Sequence, residues 1–291
     1  MLADLSANTP LFLTGVFVLG LLIGSFLNVV ILRLPARLEH EWRCQCRELL
    51  ETGDAPAEAA PPDLVFSRSR CPACGHVIRA HENIPLLSYV LLRGKCAECK
   101  AAISLRYPLV EGLTALLFLA VAWQFGPSIQ TLAGLALTAF LVALSGIDLD
   151  HQLLPDNLTL PLLWLGLLLS LFHVFTGATA AVTGAIVGYL SLWVIYWLFK
   201  LLTGKEGMGY GDFKLMGALG AWMGWHVLPL VILLSSLVGA LVGMVLLGLR
   251  RHRSGEPLPF GPFIAAAGWI AFMWGERIMD FYLKSTGMLV S

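Results

Sequence analysis

Eight apolar runs constrain this chain before any other feature is weighed. They lie at about 10–32, 107–125, 127–147, 158–175, 178–202, 213–225, 227–249 and 260–283. An apolar run of about 20 residues reads as a membrane-crossing helix. The 213–225 run is short for a crossing, so a re-entrant segment packed in protein is the alternative there. With 57% hydrophobic and 13% charged residues and a mean hydropathy of +0.78, the expected fold is an all-α polytopic membrane protein of about eight transmembrane helices. No internal repeat or low-complexity tract is visible.

Charge is concentrated in the first loop. Residues 33–106 carry 11 of the 19 Lys+Arg and 9 of the 19 Asp+Glu, which makes them a water-exposed domain between the first two helices. That near balance gives no argument for nucleic acid, and none is expected as a partner. The expected divisions are an N-terminal transmembrane helix at 1–32, a soluble domain at 33–106 and a membrane domain at 107–291. Met1–Asn8 hold no Lys or Arg, so the first run reads as a retained span rather than a cleavable signal. The Ala- and Pro-rich stretch Thr52–Asp63 reads as a flexible insertion. Placing the loops 33–106, 148–157, 200–214 and 250–256 on one side gathers 17 of the 19 Lys+Arg there. Basic loops stay in the cytoplasm, so that side is the cytoplasmic one.

Two aspartates sit where apolar segments meet these loops: Asp148, in Ser145-Gly-Ile-Asp-Leu-Asp150, and Asp212, in Gly207-Met-Gly-Tyr-Gly-Asp212. A carboxylate at membrane depth is expensive and marks a function. Two that share a proton supply a base and an acid, the equipment for hydrolysis. Asp150 is two residues from Asp148 and points to the opposite helix face, as a solvated residue. Asp156 suits the N-cap of the next helix. The glycines before Asp212 permit positive φ and close backbone approach, which suits an extended peptide lying against the loop. No strand precedes them and no Walker-type lysine follows, so they are a poor phosphate cradle.

Cys71-Pro-Ala-Cys74 and Cys96-Ala-Glu-Cys99 are two CxxC turns with 21 residues between them. Each turn offers two thiolates, and the pair completes a tetrahedral sulfur site for structural zinc. A small domain gains folding energy from such a metal. The cytoplasmic placement argues against disulfides, and redox thiols are the second reading. Cys44 and Cys46 complete no such motif and read as free thiols. His76 reads as a surface residue beside the first turn. Gly24-Ser-Phe-Leu-Asn28 suits close helix packing, with packing alone favoured over an interhelical hydrogen bond. Glu111 is either functional or paired with Arg106. Trp222, Trp225, Trp269 and Trp274 fit interfacial belts.

Read together, the motifs resemble those of the bifunctional type IV prepilin peptidases, bacterial inner-membrane aspartic proteases that also N-methylate the processed pilin. The resemblance runs through Gly24-Ser-Phe-Leu-Asn-Val-Val-Ile-Leu-Arg-Leu-Pro35, both CxxC turns, Glu82-Asn-Ile-Pro-Leu86 and Arg106-Tyr-Pro-Leu-Val-Glu111. It continues through Ile147-Asp-Leu-Asp-His-Gln-Leu-Leu-Pro-Asp156 and Gly209-Tyr-Gly-Asp-Phe-Lys214 to Pro259-Phe-Gly-Pro262. Presenilin-type proteases share only Gly-x-Gly-Asp and lack the cysteine domain. The resemblance implies that Asp148 and Asp212 are catalytic, with Asp148 chosen over Asp150 by its distance from Pro155. It implies prepilin and pseudopilin substrates cut at the cytoplasmic face, and S-adenosylmethionine as methyl donor. No nucleotide-binding fingerprint assigns residues to that donor; the domain at 33–106 is its expected place. A proton-coupled transporter with a zinc module is the alternative function, and a non-catalytic assembly scaffold a third. Transporter sites lie near the bilayer midplane, whereas these aspartates lie at the rim.

Overall fold

The computed structural model describes residues 9–50, 59–248 and 258–285. The expectations for Met1–Asn8, for the Ala- and Pro-rich stretch up to residue 58 and for the basic loop at 250–256 lie outside those residues. Within them the chain is all helical, with no strand: α1 (Thr9–Leu49), α2 (Leu87–Leu91), α3 (Arg106–Phe125), α4 (Ile129–His151), α5 (Asp156–Leu171), α6 (Ala178–Thr203), α7 (Tyr210–Met223), α8 (Leu228–Gly248) and α9 (Gly261–Ser285). Each of the eight apolar runs falls on a helix. Five of these stretches are long and apolar enough to cross a membrane: α1, α3, α4, α6 and Trp225–Leu246. Of the rest, α5 has 16 residues and α7 has 14. At 1.5 Å per residue, α7 is roughly 21 Å long, short of the roughly 30 Å hydrocarbon layer. Glu276, Arg277, Asp280 and Lys284 interrupt the second half of α9.

The chain forms two compact units, Met1–Ser128 and Ile129–Ser291. In the first, α1 and α3 pack with their backbones in contact. A Cβ on Gly20 would lie 2.6 Å from the Cα of Ala115, and one on Gly24 would lie 2.7 Å from the Cα of Glu111. Small residues four apart are what allow such an approach. Asn28 then donates from Nδ2 to the Tyr107 carbonyl at 3.1 Å, so this motif makes an interhelical hydrogen bond as well as packing. The apolar run predicts an end to the first helix at residue 32, but α1 runs on to Leu49. Its buried stripe continues as Leu27, Ile31, Leu34 and Leu38, a helical spacing that polar residues on the other face conceal from hydropathy. The Arg33 guanidinium donates to the carbonyls of Asp63, Ser67 and Arg68, and ties the following loop to this extension.

In the second unit α7 is the innermost helix. Phe213, Leu215, Met216, Ala218, Leu219 and Ala221 are fully buried, among α5, α6 and α9. Gly184 on α6 and Gly220 on α7 face each other; a Cβ on Gly184 would come within 2.9 Å of the Gly220 carbonyl carbon. Trp222 is buried and its Nε1 donates to the Leu162 carbonyl at 2.9 Å, so it is a core residue and not part of an interfacial belt. Trp269 likewise turns inward, donating to the Thr138 hydroxyl at 3.1 Å.

Candidate active site

Asp148 lies in the last turn of α4 and Asp212 in the first turn of α7, where the apolar helices run out and a loop begins. Both are buried, 5% and 6% exposed, and each is held by a glycine N–H. The Gly261 N–H, at the start of α9, donates to Asp148 Oδ2 at 2.9 Å. A helix start carries unpaired N–H groups and the positive end of the dipole, so a carboxylate is a natural partner. A Cβ at 261 would lie 2.7 Å from Asp148 Oδ2 and 3.0 Å from Leu154 Cδ2, so a larger residue there has to displace one of these side chains. Asp212 is the third residue of α7 and reaches back to the Gly209 N–H, which donates to Oδ2 at 3.2 Å. This is the acidic arm of a capping box.

Leu154 joins the two halves. A Cβ on Gly211 would meet its Cβ at 2.7 Å, so Leu154 packs on the Gly211 backbone on one side and against Gly261 on the other. The glycines before Asp212 serve here through close approach; none of Gly207, Gly209 and Gly211 has positive φ. The carboxylate held by Gly261 and the one that follows Gly211 thus flank a single leucine. In an apolar setting a close pair of carboxyls cannot both ionise cheaply, and one proton shared between them leaves one base and one acid.

Asp150 is exposed and sits on α4, in its last turn rather than in a loop. Asp156 is not the N-cap of α5: Pro155 occupies that position. Its carboxylate instead takes the Lys214 ammonium at 2.6 and 2.8 Å, which clamps the start of α5 to the start of α7. Sequence reasoning missed this clamp and the Gly261 tether. Lys214 follows Asp212 by two residues, and Gly261 stands in Pro259-Phe-Gly-Pro262, but the Gly261 tether spans 113 residues. No local pattern marks a bond over that distance.

The four cysteines converge in the first unit. The Sγ atoms of Cys71, Cys74, Cys96 and Cys99 lie within 4.8 Å of one another. Cys71 and Cys99 sulfurs are 3.8 Å apart, which matches the roughly 3.8 Å edge of a sulfur tetrahedron built on 2.3 Å zinc–sulfur bonds. The two turns share one geometry. The N–H of Cys71 donates to the His76 carbonyl at 2.9 Å, and that of Cys96 to the Ala101 carbonyl at 2.8 Å. Single β-bridges, Arg70 to Val77 and Lys95 to Ala102, close each turn. The amides of Cys74 and Ala73 bring the Cys71 thiol down to about 7, and those of Cys99 and Glu98 lower Cys96. The His76 amide lowers Cys74 as well, but burial and the neighbouring thiols outweigh it and carry Cys74 up to about 12. Four sulfurs this close ionise together only around a cation. His76 is not a bare surface residue: its Nε2 meets Glu82 at 3.0 Å and its Nδ1 meets Glu98 at 2.7 Å, linking the first turn to the second. The Glu82 hydrogen bond raises the His76 pKa.

Glu111 is buried near the start of α3 and accepts the Leu86 N–H at 2.9 Å and a hydrogen bond from Ser25.

Residues 18–125 match the bacterial peptidase A24 N-terminal domain, and residues 135–244 match the type IV leader peptidase family. The chain is 58% identical to a prepilin leader peptidase/N-methyltransferase of Stutzerimonas stutzeri over 280 residues, covering 96% of each chain. It is 57% identical to the protein of that name from Pseudomonas aeruginosa over 287 residues, covering 98% of this chain and 99% of the other. Identity to the protein of that name from Aeromonas hydrophila is also 57%, over 286 residues. No solved structure matches the chain.

Proposed function

This chain belongs to the type IV leader peptidase family, and on that premise we propose that it removes the leader of prepilins and pseudopilins and N-methylates the amine so exposed. Asp148 and Asp212 are the catalytic pair. The ionised carboxylate takes a proton from water as the oxygen attacks the scissile carbonyl; the protonated one donates to the carbonyl oxygen and then to the leaving amine. The observation that carries this reading is the pair itself: two buried carboxylates from different helices, each tethered to a glycine N–H. The relatives lend the transporter reading no support.

S-adenosylmethionine supplies the methyl group, as the name of the relatives implies for an N-methyltransferase. Cys71, Cys74, Cys96 and Cys99 hold one structural zinc ion, which anchors the two turns to each other. The domains are those read from the sequence: a helix at 1–32, a zinc domain at 33–106 and a peptidase domain at 107–291. About eight helices lie in the bacterial inner membrane among its lipids, with the zinc domain and both aspartates on the cytoplasmic side.

The test is cleavage of a leader-bearing prepilin by the purified protein. Asp148→Asn and Asp212→Asn each keep the side-chain shape and remove the charge; each should lower the rate by at least about a thousandfold, while Asp150→Asn keeps most of it. Robust cleavage by either single variant at the dyad overturns the assignment.

A further inference from the structure

Among the described residues only three acidic side chains are less than a tenth exposed: Asp148, Asp212 and Glu111. The first two form the dyad. Glu111 lies in the other compact unit and is 8% exposed. A buried carboxylate is costly unless a cation or a full set of donors meets it. Its partners are the Leu86 N–H and Ser25, and neither is a cation. Leu86 delivers its N–H from a left-handed backbone, φ 58°, a conformation that leucine avoids. Strain and buried charge thus coincide at one spot, a combination typical of functional sites. The surroundings are rigid: the Gly24 contact lies against the Glu111 backbone, and Asn28 fixes Tyr107 one turn earlier on α3.

Resting on the methyltransferase reading, we propose that Glu111 is the base of the methyl transfer. An α-amine at neutral pH is largely protonated and has no lone pair to offer. The sulfonium of the methyl donor has no proton to lose, so the ammonium is the cation this carboxylate serves. Glu111 receives the ammonium and takes one of its protons. The freed nitrogen lone pair forms a bond to the methyl carbon as the carbon–sulfur bond breaks, leaving a secondary ammonium and a neutral thioether. Glu111 then releases its proton to water. Gly24, Ser25 and the Leu86 N–H, which pack on it from α1 and the preceding segment, do not titrate, so the acid limb of the reaction belongs to the carboxylate and the amine.

The experiment uses the full-length protein in lipid, a cleaved pilin with a free α-amine, and S-adenosylmethionine labelled in its methyl group. Glu111→Gln keeps an acceptor for Leu86 and Ser25 but cannot take a proton. It should methylate at least about 100-fold more slowly at neutral pH while cleaving prepilin at the wild-type rate. Its residual methylation should rise about tenfold per pH unit until the amine titrates near 7.7–8.0. Ser25→Ala loosens the carboxylate without removing it and should slow methylation severalfold, with cleavage unchanged. Wild-type methylation by Glu111→Gln overturns the proposal, as does loss of cleavage together with methylation, which assigns Glu111 to the fold. Undiminished methylation by Ser25→Ala overturns it even where Glu111→Gln does not fold. Wild-type protein that transfers no methyl group removes the methyltransferase reading and this inference with it.

Discussion

One methyl group at residue 261 tests the geometry of the proposed active site more sharply than removal of a charge. In Gly261→Ala the added carbon would lie 2.7 Å from Asp148 Oδ2, so the carboxylate has to shift or the start of α9 has to back away. A displacement of about 1 Å at a catalytic group costs on the order of 100-fold in rate, and that is the loss expected in prepilin cleavage. Gly209→Ala is the control. Its backbone is extended, φ −83° and ψ 153°, and its added Cβ has no neighbour closer than 3.8 Å, so cleavage should persist. Equal rates for both variants would show that the Gly261 contact does not set the geometry. The two aspartates were legible in the sequence because a charge among apolar residues announces its cost. Gly261 and Leu154 were not, because their role is to touch residues distant in the chain.

At the level of elements, sequence patterns placed the helices well and their ends poorly. Hydropathy marks where lipid stops, not where hydrogen bonding stops, and α1 continues to Leu49 for that reason. The CxxC turns were legible as a pair because spacing alone fixes two sulfurs per turn. The His76 link between them was not, since Glu82 and Glu98 come from separate segments. The pairing predicts about one zinc per chain by elemental analysis, lost on changing any of Cys71, Cys74, Cys96 or Cys99 to serine and kept in Cys44→Ser. Protein without metal and with four freely reactive thiols would count decisively against it. Gly75, in the first turn, has φ 74°, where an alanine is strained by about 1–2 kcal/mol. Gly75→Ala should therefore release zinc to a chelator faster than wild type, and an unchanged rate would show that the turn absorbs the strain.

For the molecule as a whole, the distribution of Lys and Arg assigns one face to the cytoplasm, and that assignment has a direct test. Lys205 is exposed in the loop before α7. Trypsin added to inverted inner-membrane vesicles should cut there, and trypsin added to right-side-out spheroplasts should not; the opposite pattern reverses the orientation. The tethers of the dyad bear on how this protein withstands inherited change. Both carboxylates are held by main-chain donors, the N–H groups of Gly209 and Gly261. No substitution except proline deletes such a donor. Mutation at Gly209 or Gly261 therefore rarely cuts either tether outright, and damages the site chiefly by crowding it.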